Sequence, residues 1–304
     1  MLTDLTGTTT SDIRAALTRL RDQAGGPAIG VVLNLIIVTD ESGQHDAVRA
    51  ATQAGREHPC RVLAVISREA RAPSRLDAEI RTGDGIPGQT VLLRLYGPMS
   101  EHADSVIMPL LVPDTPIVTW WHGLLPAVPS SQPLGALAQR RVTDAARARA
   151  PAQALIKLAA GYKPGDTDLS WTRATPWRSL LAATLDQVNR EILSGVVVAE
   201  EQNPTADLLA AWLSNRLGVP FVRETSGGPG ITEVRLTTED GDVIISRPDG
   251  RVATLSRPGQ PDRHVALQRR DIADLLAEEL RRLDPDEIYG EALEAVGGVQ
   301  EPVH

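Results

Sequence analysis

Hydrophobic positions alternate between two periods along this chain, and the change of period marks its elements. Ile13, Ala16, Leu17 and Leu20 share one face of an opening helix, which Gly25-Gly26-Pro27 is expected to end. The run from Ile29 to Val38 is almost continuously apolar, as expected of a strand covered on both faces. A helix over 44–56 and a strand over 61–67 follow it, which reads as a βαβ unit. Strands over 76–81, 90–96 and 116–121, with a helix around 100–111, extend a mixed sheet.

After the turn-rich connector 126–133, helices are expected over 134–149 and 152–161, and a domain boundary near Pro164. Beyond it, Thr175 before Pro176 reads as the cap of a helix whose Trp177, Leu180, Leu181, Leu185 and Val188 form one apolar face. A strand over 196–200 precedes Asn203-Pro204, the start of a helix with Leu208, Leu209, Trp212, Leu213 and Leu217 on one side and Gly218 at its end. From Ile231 the period shortens to two, and the turns Asp240-Gly241, Asp249-Gly250 and Pro258-Gly259 cut it into an antiparallel meander. A helix carrying Ile272, Leu275, Leu276, Leu280 and Leu283 comes next, then Asp284-Pro285-Asp286-Glu287 opens a last one. The expected fold is an α/β N-terminal domain (1–164) with a mixed, partly parallel sheet, plus an α+β C-terminal domain (165–304) with an antiparallel meander. A chain of 304 residues is long for a single core, which agrees with two domains.

Composition narrows the function. The 31 basic and 39 acidic residues leave a net charge of -8, and no Lys/Arg block is long enough to track phosphates, so nucleic acid is not an expected partner. No leader pattern opens the chain and no apolar run approaches the ~20 residues that span a bilayer, so a cytoplasmic protein without a membrane partner is expected. The single Cys60 opens an apolar strand and is expected to pack as a reduced thiol. A low-pKa thiol beside His58 is the alternative.

Cofactor chemistry finds no motif. Neither GxGxxG nor GxxxxGK[ST] occurs, and the cluster Gly83-Asp-Gly-Ile-Pro-Gly88 joins two strands instead of opening a helix. No CxxC, HxH or HExxH spacing points to a metal. His102 and His122 could meet in space, and Ser67 and Ser100 lack the turn that exposes a nucleophile. Asp166 and Asp168 suit acid/base work, or orient Arg173 or Arg178 equally well. No cofactor, metal or catalytic residue is expected.

One stretch stands out in a chain with five Trp, three Tyr and one Phe: Asp166-Thr-Asp-Leu-Ser-Trp-Thr-Arg-Ala-Thr-Pro-Trp-Arg178. Trp and Arg are the residue types most enriched at binding hot spots. Trp177 falls on the apolar helical face, whereas Trp171, in the loop before the expected cap, suits packing or recognition equally. This stretch resembles the OpcA family of glucose-6-phosphate dehydrogenase assembly proteins of actinobacteria. So do His58-Pro-Cys-Arg-Val62, Leu93-Arg-Leu-Tyr-Gly97, Leu110-Leu-Val-Pro-Asp-Thr-Pro116 with Trp120-Trp121, Leu137-Ala-Gln-Arg-Arg141, and Leu280-Arg-Arg-Leu-Asp-Pro-Asp-Glu-Ile-Tyr289.

The resemblance implies a non-catalytic accessory protein that binds glucose-6-phosphate dehydrogenase and promotes its active oligomeric assembly and activity, feeding NADPH production. Some similar proteins of cyanobacteria are linked to thioredoxin control, but one cysteine cannot form an intramolecular disulfide. The resemblance supplies no residue roles. From composition alone, Trp171, Arg173, Trp177 and Arg178, with Trp120 and Trp121, are the candidate partner-binding surface. The competing reading is a small-molecule-binding or hydrolytic α/β enzyme, its pocket at the strand ends near Thr39-Asp40, Ser67 and Trp121-His122.

Overall fold

The computed structural model describes residues 1–23, 30–82, 88–187 and 190–296, so the expected helix stop Gly25-Gly26-Pro27, Ile29, most of the Gly83–Gly88 cluster and Val188 lie outside the described residues. The chain divides into two compact units that interleave along the sequence. The first holds Met1–Asp144, Gly165–Thr167 and Ile272–Pro285; the second holds Ala145–Pro164, Asp168–Asp271 and the chain from Asp286 on. The expected single boundary at 164/165 differs from this division: 145–164 groups with the second unit and 272–285 with the first.

The first unit is built on an eight-stranded sheet. Its strands are β1 (Leu2–Leu5), β2 (Leu33–Thr39), β3 (Cys60–Ser67), β4 (Arg75–Arg81), β5 (Gly88–Tyr96), β6 (Ile117–Trp121), β7 (Arg140–Thr143) and β8 (Asp166–Asp168), in the order β1-β4-β5-β3-β2-β6-β7-β8. The pairs β3–β5, β2–β3, β2–β6 and β6–β7 are parallel, and β1–β4 and β4–β5 antiparallel. The expected mixed, partly parallel sheet is therefore present. Five consecutive core residues of β3, Val62 to Ile66, are buried, as befits a central parallel strand. Helix α1 (Thr10–Gln23) adds Ile13, Ala16 and Leu17 to the apolar cluster that Leu63, Val91, Leu93 and Ile107 share. Helix α2 (Gln44–Ala54) makes the βαβ crossover.

Two expectations fail here. Residues 134–149 are not one helix: α4 (Pro133–Ala136) ends early and β7 follows, while the expected helix around 100–111 reduces to α3 (Ala103–Ile107) flanked by 3-10 turns. Local helix propensity in Leu137-Ala-Gln-Arg-Arg141 is overridden by distant partners. Arg140 is buried and donates to Glu279 Oε2 at 2.5 and 3.1 Å and to the Asp284 carbonyl at 2.7 Å. Arg141, also buried, pairs with Asp166 of β8. Glu279 lies on α8 (Ile272–Arg281), which packs on α2.

The second unit carries a six-stranded sheet of β9 (Ile192–Ala199), β10 (Phe221–Thr225), β11 (Ile231–Thr238), β12 (Gly241–Ser246), β13 (Val252–Arg257) and β14 (Gln260–Ala266), ordered β10-β9-β11-β12-β13-β14. Strands β11 to β14 are the expected antiparallel meander, and β10 pairs parallel with β9. Gly195 of β9 lies under the Phe221 ring, where a Cβ would stand 2.1 Å from a ring carbon; no other residue leaves that room. Helices α5 (Pro151–Gly161), α6 (Leu169–Leu185), α7 (Pro204–Leu217) and α9 (Glu287–Ala295) complete the unit. The apolar cluster joins Trp177 and Leu181 of α6 to Leu209 and Leu213 of α7 and to Val197, Val234 and Ile245 of the sheet. Helix α7 starts and stops as its sequence specifies: the Asn203 side chain accepts from Ala206 N at 3.0 Å, and Gly218 takes the left-handed conformation at φ 68°. For α9 the cap is Asp286, whose carboxylate accepts from Tyr289 N.

Candidate functional site

Helix α6 carries the Trp-rich stretch, and it begins earlier than Thr175. Asp168 is its cap, accepting from Ser170 N at 2.8 Å, so Trp171 stands in the first helical turns and Pro176 inside the helix. A proline there has no N–H for the carbonyl of residue 172. That carbonyl is used instead by the Arg270 guanidinium, which donates to it. An interior proline thus anchors a distant arginine.

All four tryptophans proposed from composition are buried: Trp120 at 0 %, Trp121 at 4 %, Trp171 at 1 % and Trp177 at 2 % exposure. Trp120 and Trp121 belong to β6 of the first unit, Trp171 and Trp177 to α6 of the second. Trp171 donates its indole N–H to Asp286 Oδ2 at 2.9 Å, which fixes α6 to the capping residue of α9. The Arg178 guanidinium lies 3.6 Å from the Trp171 ring centroid, covering its face. Arg173 and Arg178 are half-buried. The indoles therefore contribute packing, and the two arginines are the members of the set with atoms at the surface.

Arg173 lines a cleft of about 270 Å³ that lies entirely within the second unit. Its walls come from the segment after β7, from α6, from the N-terminus of α7, and from the chain following β12 and β14. Five arginines face it, Arg147, Arg173, Arg247, Arg269 and Arg270, with Glu200 the one carboxylate. Arg247 is the deepest, 5 % exposed, donating to the carbonyls of Leu267 and Ile231 at 2.9 Å each. Its guanidinium lies 4.9 Å from the Trp177 ring centroid, a cation–π contact that partly offsets the loss of water. Burial, and then the charge of Arg269, pull its pKa down to about 10, with Asp249 acting the other way. Gly230, at φ 66°, passes close over this pair: a Cβ there would come within 3.8 Å of both guanidinium groups.

Of these five, only Arg173 lies in the Trp-rich stretch that composition singles out. A signal for Arg247 exists in the register: after Val243 and Ile245, the next inward-facing position of the alternating run holds an arginine where an aliphatic residue is expected.

At the strand ends of the first unit, the enzyme alternative finds a packed arrangement. The Asp40 carboxylate accepts from Ser42 Oγ and Gly43 N, each at 2.7 Å, which hold its pKa below the usual carboxylate range as α2 begins. His122 is 2 % exposed and meets Trp120 edge-on at 5.0 Å. Ser67 and His102 are exposed. Among the described residues no group of three or more His, Cys, Asp or Glu could hold a metal ion, and no helix is long and apolar enough to cross a membrane.

Comparison with known families gives two matches. Residues 51–160 match the glucose-6-phosphate dehydrogenase subunit N-terminal domain of the OpcA assembly type, and residues 164–293 its C-terminal domain. No curated protein matches the chain. Among solved structures, an NAD binding oxidoreductase from Klebsiella pneumoniae is 10 % identical, with 88 % of this chain and 96 % of that one covered at a TM-score of 0.40. An E. coli structure described as trehalose-6-phosphate bound with UDP-2-fluoro glucose is 9 % identical, with coverage of 64 % and 65 % and a TM-score of 0.25.

Proposed function

The chain belongs to the OpcA family of glucose-6-phosphate dehydrogenase assembly proteins, and from that premise we propose that it is a non-catalytic accessory subunit that binds glucose-6-phosphate dehydrogenase and favours its active oligomer. The observation that carries this reading is the pair of family matches, which together run from residue 51 to 293 and take in both units. A protein of this kind works through differential affinity: binding the assembled dehydrogenase more tightly than its dissociated form shifts the population toward the assembled one. Raised turnover in the oxidative pentose phosphate pathway, in the cytoplasm, follows as the consequence.

The partner contact is assigned to Arg173 and Arg178, the half-exposed members of the Trp-rich helix, with Trp171 and Trp177 holding that helix rigid beneath them. Rigid placement limits the ordering entropy lost on binding. The test is an activity assay of the cognate dehydrogenase with and without this protein, paired with size-exclusion chromatography. Co-elution with raised turnover is expected, together with no dehydrogenase activity of this chain alone. Unchanged turnover without co-elution contradicts the proposal.

A further inference from the structure

The arginine-lined cleft of the second unit asks for an anion. Five arginines and one carboxylate line about 270 Å³ of space in a protein whose net charge is -8; Arg173 and Arg270 are engaged by other groups, so the site's charge rests on Arg147, Arg247 and Arg269. Like charges gathered against the overall balance cost energy unless a counter-charge meets them. Among the described residues, neither the Arg147 nor the Arg269 side chain has a carboxylate partner, and both are exposed at the mouth. Arg247, at the base, is held by two backbone carbonyls that neutralise none of its charge, and its Nε is buried without a partner among the described residues.

Two further features lie at the cleft. Asn203, Pro204 and Thr205, the start of the fourteen-residue α7, line the cleft, and a helix N-terminus presents partial positive charge. Arg270, which also lines the cleft, donates to the Thr172 carbonyl that Pro176 leaves open. One arginine-bearing cleft of the first unit differs in its pairing. It has about 250 Å³, and two of its three arginines, Arg49 and Arg81, pair with Asp46 and Glu79.

We propose that this cleft binds a small phosphate-bearing ligand, with Arg247 at its base and Arg147 and Arg269 closing on the anion from the mouth. Planar guanidinium groups match phosphate oxygens two at a time, and the volume suits a single small molecule better than a folded protein element. Glu200 on the wall limits the charge the site takes and supplies an acceptor for a hydroxyl of an organic phosphate.

The test needs this chain alone, so its outcome is independent of the dehydrogenase. The full-length protein is titrated calorimetrically with inorganic phosphate, pyrophosphate and glycerol phosphate at constant ionic strength, and separately with a short oligoglutamate peptide. Saturable binding of at least one phosphate at one site per chain is expected. Arg269→Ala and Arg147→Ala should each weaken it roughly tenfold, the worth of one charge-assisted hydrogen bond, whereas Arg49→Ala, at a residue that does not line the cleft, leaves it unchanged. Tighter binding of glycerol phosphate than of inorganic phosphate identifies an organic ester as the ligand class; the reverse order identifies the free anion. Because Arg247→Gln disturbs a buried anchor, the two mouth variants carry the test. No saturable binding of any phosphate, binding indifferent to both mouth variants, or tighter binding of the oligoglutamate peptide than of every phosphate overturns the proposal.

Discussion

Trp171 and Trp177 share one helix but are held in different ways. Trp171 is pinned at its polar edge by Asp286 and on its face by Arg178, while Trp177 fills the core of the second unit beneath Arg247. Truncating either one removes a large buried ring, so Trp171→Ala and Trp177→Ala should each cost about 3–5 kcal/mol of folding stability, measured by denaturant unfolding. Arg173→Ala should change stability by less than about 1 kcal/mol while weakening dehydrogenase binding. A Trp171→Ala protein that melts normally would contradict the packing role. Cys60 supplies a second residue-level expectation. It is fully buried, and burial pushes its thiol from 9.0 up to about 12. A folded pKa above the unfolded one means the buried thiol's contribution to stability is complete below about pH 9 and is lost as pH rises toward 12. The native protein should therefore resist alkylation by iodoacetamide at pH 8 and react on unfolding; rapid native labelling would show an accessible thiolate.

At the scale of elements, β7 joins the sheet through charge. Arg140 and Glu279 are buried at 4 % and 5 % exposure and bind each other across a long stretch of sequence. Removing one partner of such a pair leaves an uncompensated buried charge, so Glu279→Ala should destabilise the chain by about 3–5 kcal/mol. The double variant Arg140→Met with Glu279→Leu should recover much of that loss in the same unfolding experiment. These elements also explain what could be read from sequence. Helix α7 was legible because Asn203, Pro204 and Gly218 are local signals that act on their own neighbours. The meander was legible because alternation and Asp-Gly or Pro-Gly turns specify it locally. By contrast β7 and β8 are short, polar and buried, and their partners lie elsewhere in the chain. In helix α6, Pro176 points to a start at Thr175 because proline usually marks a first turn; Asp168 caps the helix earlier, and Arg270 satisfies the carbonyl that the proline leaves. The arginine cleft was hidden for a related reason: it assembles one or two arginines from each of several distant segments.

The whole molecule interleaves its two units, with 272–285 returning to the first after the meander of the second. No local pattern announces such a return, which is why a single boundary near Pro164 was the natural expectation. Family matches that break between 160 and 164 follow the linear order of the sequence instead. A chain of this kind favours an assembled partner only to the extent that it binds that form better. The most direct measurement is therefore the mass distribution of the cognate dehydrogenase, followed by light scattering as it is diluted, with and without this protein in excess. The account predicts that the larger oligomer persists to lower concentration when the protein is present, with the protein in the complex. Dissociation at the same dehydrogenase concentration in both cases, with the two proteins migrating separately, would contradict it.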